Sequence, residues 1–169
     1  MIFIIKCAYF MLPAYFANMA PVIMRRLFGK LAVPVNERLF GKNKTYRGII
    51  FGALFGIIIA FFQYLLYSQL KSLSFLDYSN WLSIGFLMGF GAVSGDLLKS
   101  FFKRRLGYRP GQPFVPFDQL DFVIGALLLV SFVFAPTIKM IFTIIIASFA
   151  LHILTNHSAY YLKIRNEKW

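Results

Sequence analysis

"GFLMGFGAVSGDLLKSFFKRRLGYRPGQPFVPFDQLDF", residues 85 to 122, runs from hydrocarbon-like sequence into a cluster of charge and back without leaving apolar surroundings. Asp96, Asp118 and Asp121 lie in it and make up half of the six acids in the chain, the others being Glu37, Asp77 and Glu167. Lys99, Lys103, Arg104, Arg105 and Arg109 stand beside them. Acidic side chains at membrane depth are costly and normally face the interior of a helix bundle, so this placement asks for a function.

Composition decides that the surroundings are a membrane. A chain of 169 residues with 59% hydrophobic residues and a mean hydropathy of +0.69 is too apolar to hide its surface in water. The sequence therefore predicts an all-α integral membrane protein. Apolar runs of bilayer-spanning length give five transmembrane helices, near residues 2–24, 48–70, 80–101, 119–136 and 138–162. The first lacks the basic start and small-residue cleavage site of a signal peptide, and Arg25 and Arg26 follow it as a stop. It is read as a mature span, bent at Pro13 and Pro21. Cys7 has no partner for an intrachain disulfide and reads as a buried small hydrophobe.

Charge orients the bundle. Of the 18 lysines and arginines, all except Lys6, Lys71 and Lys139 fall on one side of the five-span arrangement. Cytoplasmic loops carry the excess of cations, which predicts the N-terminus outside and the C-terminus in the cytoplasm. The chain then reads as one transmembrane domain, 1–169, with cytoplasmic loops near 25–47 and 102–118. Topology and anionic headgroups account for most of these cations. Arg25, Arg26, Lys30 and Arg38 read as headgroup anchors along an interfacial helix interrupted by Pro34.

The acids resist that explanation. Asp96 can pair with Lys99 at i+3, and Asp118 can serve the first turn of the fourth span after Pro116. Asp121, however, lies three residues past Asp118, on the same helical face and one turn deeper. Two carboxylates facing a third from the preceding helix repel unless a cation neutralises them. All-oxygen ligation of this kind suits Mg²⁺, which keeps several waters and bridges carboxylates to nucleotide phosphates. The neighbouring loop supplies Lys103, Arg104, Arg105 and Arg109 as donors for a polyphosphate, on a path that Gly107, Pro110 and Gly111 allow to turn tightly. "GKNKTYRG", residues 41 to 48, repeats the theme before the second span, although it lacks the spacing of a Walker A loop.

"GDLLKSFFKRRLG" followed by Pro-x-Asp-Gln-Leu-Asp resembles the signature of the CTP-dependent phosphatidate cytidylyltransferase superfamily, the CDP-diacylglycerol synthases. That signature has a Lys-Asp pair where this chain has Arg109 and Pro110, and a glycine- and histidine-rich insert that is missing here, departures that argue against phosphatidate as substrate. With "GKNKTYRG" upstream, "RPGQPFVPFDQLDF" in the middle and "HILTNHSAYYL" at the end, the chain is similar along its length to the CDP-archaeol synthases, the small archaeal branch. The resemblance implies transfer of the cytidylyl group of CTP to 2,3-di-O-geranylgeranylglyceryl phosphate, giving CDP-archaeol and pyrophosphate with Mg²⁺. It implies CTP, a prenylated ether-lipid phosphate and the bilayer as partners, without nucleic acid, and an archaeal cell membrane with the site at its cytoplasmic face.

On that reading Asp96, Asp118, Asp121 and Lys103 are the catalytic candidates, the three acids holding the metal. Lys42, Asn43, Lys44, Thr45, Arg47, Arg104 and Arg109 are the substrate-phosphate candidates, and Gln112 and Gln119 read base or ribose. A CDP-alcohol phosphotransferase would need an Asp-Gly-x-x-Ala-Arg motif, which is absent. An ion carrier or scaffold would place polar residues along several spans rather than at one end of the bundle. Gly48, Gly52 and Gly56, Gly85 with Gly89, and Gly91 with Gly95 read as small-xxx-small helix contacts. His152 and His157 are five apart and do not form a metal pair, whereas His152 and Asn156 share a face and read as an interhelical hydrogen-bonding pair.

Overall fold

A computed structural model describes residues 2–28, 32–109 and 112–161. Among them lie α1 (Ile2–Leu27), α2 (Glu37–Phe40), α3 (Tyr46–Leu65), α4 (Tyr67–Leu70), α5 (Trp81–Arg105), α6 (Phe117–Val130) and α7 (Ile138–Tyr161). Among the described residues four helices are long and apolar enough to cross a membrane: Ile2–Arg25, Tyr46–Leu65, Trp81–Arg105 and Ile138–Ser158. The expected fourth span is shorter than the apolar run that announced it. Its helix α6 has 14 residues, about 21 Å at 1.5 Å per residue, and gives way to turns at 131–133.

Glycines decide how the long helices cross. A Cβ on Gly56 would stand 2.5 Å from the Gly85 carbonyl oxygen, and one on Gly89 2.9 Å from that of Gly52. Across the opposite face of α5, a Cβ on Gly125 would lie 2.1 Å from the Gly91 oxygen, and one on Gly95 2.1 Å from the Asp121 oxygen. Only a residue without a side chain lets main chains come this near, the small-residue mode of membrane helix packing. Gly48 differs from the expected repeat, because a Cβ there would meet Pro21 and Thr45 at ordinary distances of 3.4–3.5 Å.

α5 is thus pinned between α3 and α6. The core beside these crossings is apolar, with Phe10, Met11, Ala14, Met88, Val123 and Val130 fully buried and Cys7 among them, as its sequence context predicts. α7 is peripheral, with 17% of its membrane-length stretch buried against 44% for α5.

The connection before α3 is a strap rather than a loose loop. Val35 N donates to the Lys44 carbonyl at 2.8 Å and Tyr46 N to that of Val33 at 3.1 Å, and Pro34 and Thr45 form an antiparallel bridge. Asn36 caps α2 by accepting from Leu39 N at 3.1 Å, and Thr45 caps α3 by accepting from Gly48 N at 3.2 Å. Lys30, expected on an interfacial helix, lies outside the described residues, as do Pro110, Gly111 and the basic residues after Tyr161. Beyond Pro34 the described helix is the single turn α2.

Candidate active site

The α5–α6 crossing places the first two helical turns of α6 against the last turns of α5. Asp96, Lys99 and Lys103 follow i, i+3, i+7 spacing and share one face of α5, while Asp118 and Asp121 share the facing side of α6. The carboxylates of all three aspartates surround the Lys99 ammonium: Asp96 Oδ1 at 3.1 Å, Asp118 Oδ1 at 3.1 Å and Asp121 Oδ2 at 2.6 Å. Lys103 Nζ donates to Asp118 at 3.1–3.2 Å and to the Gln112 carbonyl at 2.5 Å. Lys44, carried in by the strap, pairs with Asp96 Oδ2. The Phe114 amide completes Asp118 by donating to Oδ2 at 2.6 Å.

Three lysines and three aspartates therefore interlock. Asp121 is the deepest, its side chain 5% exposed. An uncompensated carboxylate so placed would carry a large desolvation cost, which the shared ammonium offsets.

Two cavities meet at this cluster. A polar cleft of about 550 Å³ is lined by Glu37, Phe40, Lys42, Asn43, Lys44, Lys99, Ser100, Lys103 and Arg104, with Gly41. An apolar groove of about 380 Å³ runs between α5 and α6 along Leu98, Phe102, Phe117, Ile124 and Leu128, and Lys99 and Asp121 are among its lining residues. Lys99 belongs to both.

The other expected site residues are distributed unevenly. Thr45 uses its hydroxyl to cap α3. Arg47 is buried and donates to the Phe28 carbonyl, tying the end of α1 to α3. Arg104 lines the cleft and donates to the Tyr108 carbonyl at 2.5 Å. Arg109 is exposed, and its main-chain N–H donates to Gln112 Oε1 at 3.1 Å. Gln119 is buried, its Oε1 without a hydrogen-bond partner among the described residues, and does not line the cleft. Asn156 Nδ2 lies 3.0 Å from His152 Nδ1, a contact within α7.

Sequence reasoning missed Lys99 as the centre of the cluster, reading it only as a partner for Asp96. It also missed Ser100 and Glu37, which line the cleft. The i, i+3, i+7 spacing from Asp96 was the available signal. At the opposite end of the bundle, Asp77 is satisfied locally. The Ser79 amide and then its hydroxyl, both at 2.9 Å, hold its carboxyl below the usual carboxylate range.

The donor set fits a hard divalent cation in kind, since three carboxylates from two helices converge on one cationic atom. Among the described residues no three such groups stand at metal-holding distances. The carboxylates are spread around an ammonium at 2.6–3.1 Å, whereas Mg²⁺ takes oxygens at about 2.0–2.1 Å.

The family model described as CarS-like, CDP-archaeol synthase, matches residues 1–169. The chain is 35% identical over 170 residues to the CDP-archaeol synthase of Pyrococcus furiosus, covering 98% of each chain. It is 36% identical over 177 residues to that of Archaeoglobus fulgidus, again covering 98% of each. A solved structure of an intramembrane enzyme for archaeal membrane lipids biosynthesis superposes with a TM-score of 0.71 at 28% identity, over 88% of this chain and 90% of that one. With a match of this extent to the family and to its relatives, the chain belongs to the CarS-like CDP-archaeol synthase family.

Proposed function

We propose that the aspartate–lysine cluster is the site at which CTP and a membrane-held lipid phosphate meet. As a member of its family the chain is a CTP-dependent cytidylyltransferase of archaeal lipid synthesis. The acceptor is 2,3-di-O-geranylgeranylglyceryl phosphate and the products are CDP-archaeol and pyrophosphate. The observation that carries the site assignment is the meeting of a polar cleft and an apolar groove at Lys99. One substrate is a water-borne polyanion and the other a phosphate on prenyl chains, so their reacting atoms can come together only where such cavities join.

In this reading the nucleotide phosphates lie in the polar cleft against Lys42, Lys44, Lys103 and Arg104. The prenyl chains follow Leu98, Phe102, Phe117 and Leu128, bringing the lipid phosphate beside Lys99 and Asp121. An oxygen of the lipid phosphate attacks the α-phosphorus of CTP, and the bond to the β-phosphate breaks, so pyrophosphate leaves with that electron pair. Both reactants are anions, so the protein's work is to align them and neutralise charge, and no protein nucleophile is needed. Mg²⁺ held by Asp96, Asp118 and Asp121 supplies charge neutralisation at the phosphates when bound. Asn43 and Ser100 offer polar contacts in the same cleft. Arg109 holds Gln112, whose carbonyl accepts from Lys103, and Gln119 is buried in the first turn of α6.

The same reading makes α6, with the turns after it, a fifth and short crossing of the membrane in a single domain. The end bearing the strap and the cluster then faces the cytoplasm, and the N-terminus lies outside. CTP is cytoplasmic, which supports that orientation.

The test is formation of CDP-lipid from radiolabelled CTP and geranylgeranyl-ether glycerol phosphate in detergent, with and without Mg²⁺. Label transferred to lipid only with Mg²⁺ is the expected result. Folded protein that transfers none to this acceptor overturns the reading.

A further inference from the structure

Lys99 Nζ occupies the point on which all three aspartates converge. Counting Lys44 on Asp96 and Lys103 on Asp118, the cluster pairs three negative charges with three positive ones and is locally neutral. A divalent cation approaching it meets no net attraction, and the oxygens it needs already surround an ammonium. Lys99 is also the residue shared by both cavities, so its side chain has open volume on the cleft side into which it can turn.

Resting on the assignment of the aspartates to Mg²⁺, we propose that Lys99 is a tethered cation that holds the carboxylate cluster together before the metal arrives and exchanges with it on binding. When the divalent ion takes the centre, the ammonium swings into the polar cleft, whose wall includes Lys103 and Arg104. Lys99 is thereby a positioning residue with two stations. In the first it prevents three carboxylates on two closely packed helices from repelling one another. In the second it adds a positive charge to the cleft at the moment a polyphosphate anion enters. The exchange couples metal and nucleotide: the metal displaces a charge that is stable in the cleft only when phosphate is there to receive it, so each ligand favours the other.

The competition is read directly with Mn²⁺ alone, followed by electron paramagnetic resonance on the detergent-solubilised chain without nucleotide or lipid. Lys99→Gln removes the competing charge and is expected to bind Mn²⁺ at least about tenfold more tightly than the unsubstituted chain. Lys99→Arg, which keeps the charge, binds no more tightly. Equal or weaker Mn²⁺ binding by a folded Lys99→Gln overturns the exchange while leaving the metal assignment standing. Absence of Mn²⁺ binding in every variant overturns both.

The unsubstituted chain supplies a second readout that does not depend on the variant folding. Pulse acetylation of lysines, quantified by mass spectrometry, should modify Lys99 faster once Mn²⁺ is added, and Lys139 at the other end of the bundle at an unchanged rate. Unchanged or slower modification of Lys99 overturns the proposal.

Discussion

Gly95 stands so close to the main chain of Asp121 that a methyl group on it would lie 2.1 Å from the Asp121 carbonyl oxygen. This contact sets the separation of α5 and α6, and with it the distance between Asp96, the next residue along, and the two aspartates opposite. Gly95→Ala should force the helices apart, lowering stability by about 1–3 kcal/mol and activity by more than the loss of folded protein explains. Thermal unfolding and the cytidylyl-transfer rate, measured on the same preparation, check this. Gly107→Ala, where a Cβ meets nothing within 4 Å, should cost only backbone strain and leave the transfer rate of the folded protein unchanged.

Asp121→Asn keeps the shape of the side chain and removes its charge. The loss of one carboxylate from the proposed metal site should lower turnover by at least about 100-fold, since metal charge stabilisation is worth several kcal/mol. The variant should fold with a lowered melting temperature, because the part-buried Lys99 loses one of its three carboxylate partners, so turnover is compared per folded protein. Near-normal turnover would remove Asp121 from the metal site.

Lys103 bridges Asp118 and the Gln112 carbonyl with a side chain 9% exposed. Lys103→Met leaves both acceptors short of a charged donor, costing about 1.5–3 kcal/mol. It should raise KM for CTP, measured at saturating lipid phosphate, and make the 106–109 segment more susceptible to proteolysis, which is measurable without the lipid substrate.

Thr45 was expected to touch substrate and is found capping α3. Thr45→Ala should therefore destabilise by about 1 kcal/mol and leave KM for CTP unchanged. A rise in KM at unchanged stability would return Thr45 to the substrate site.

Leu98 faces the apolar groove. Leu98→Trp should narrow it and raise KM for the prenylated phosphate while KM for CTP stays constant. A parallel rise in both constants would mean that the groove does not hold the lipid.

What the sequence made legible follows from which interactions are local. Apolar runs located the long helices, and the glycine pairs 85/89 and 91/95 marked the faces of α5 that its neighbours approach. The pair Asp118 and Asp121 was readable because three residues along a helix is one turn. The end of α6 was not. Residues 131–136 are as apolar as the helix before them, yet the chain turns at Ser131, whose hydroxyl donates to the Leu128 carbonyl at 2.6 Å. Hydropathy registers solvent preference and is blind to such a bond. The role of Lys99 was hidden for a similar reason. Its bond to Asp96 is three residues long and visible, whereas those to Asp118 and Asp121 exist only because Gly91, Gly95 and Gly125 bring α6 alongside. Lys44 reaches Asp96 across 52 residues, through a strap whose rungs are main-chain bonds that no side-chain pattern announces.

The peripheral seat of α7 bears on how this molecule comes apart. Pulled from its C-terminal end out of a bilayer, α7 should peel away first and at low force, because few of its residues are buried. The resisting unit would then be α3, α5 and α6, stapled through their glycines, where a single rupture event must open both crossings and the charged cluster together. The charged cluster would be the last mechanical element to yield.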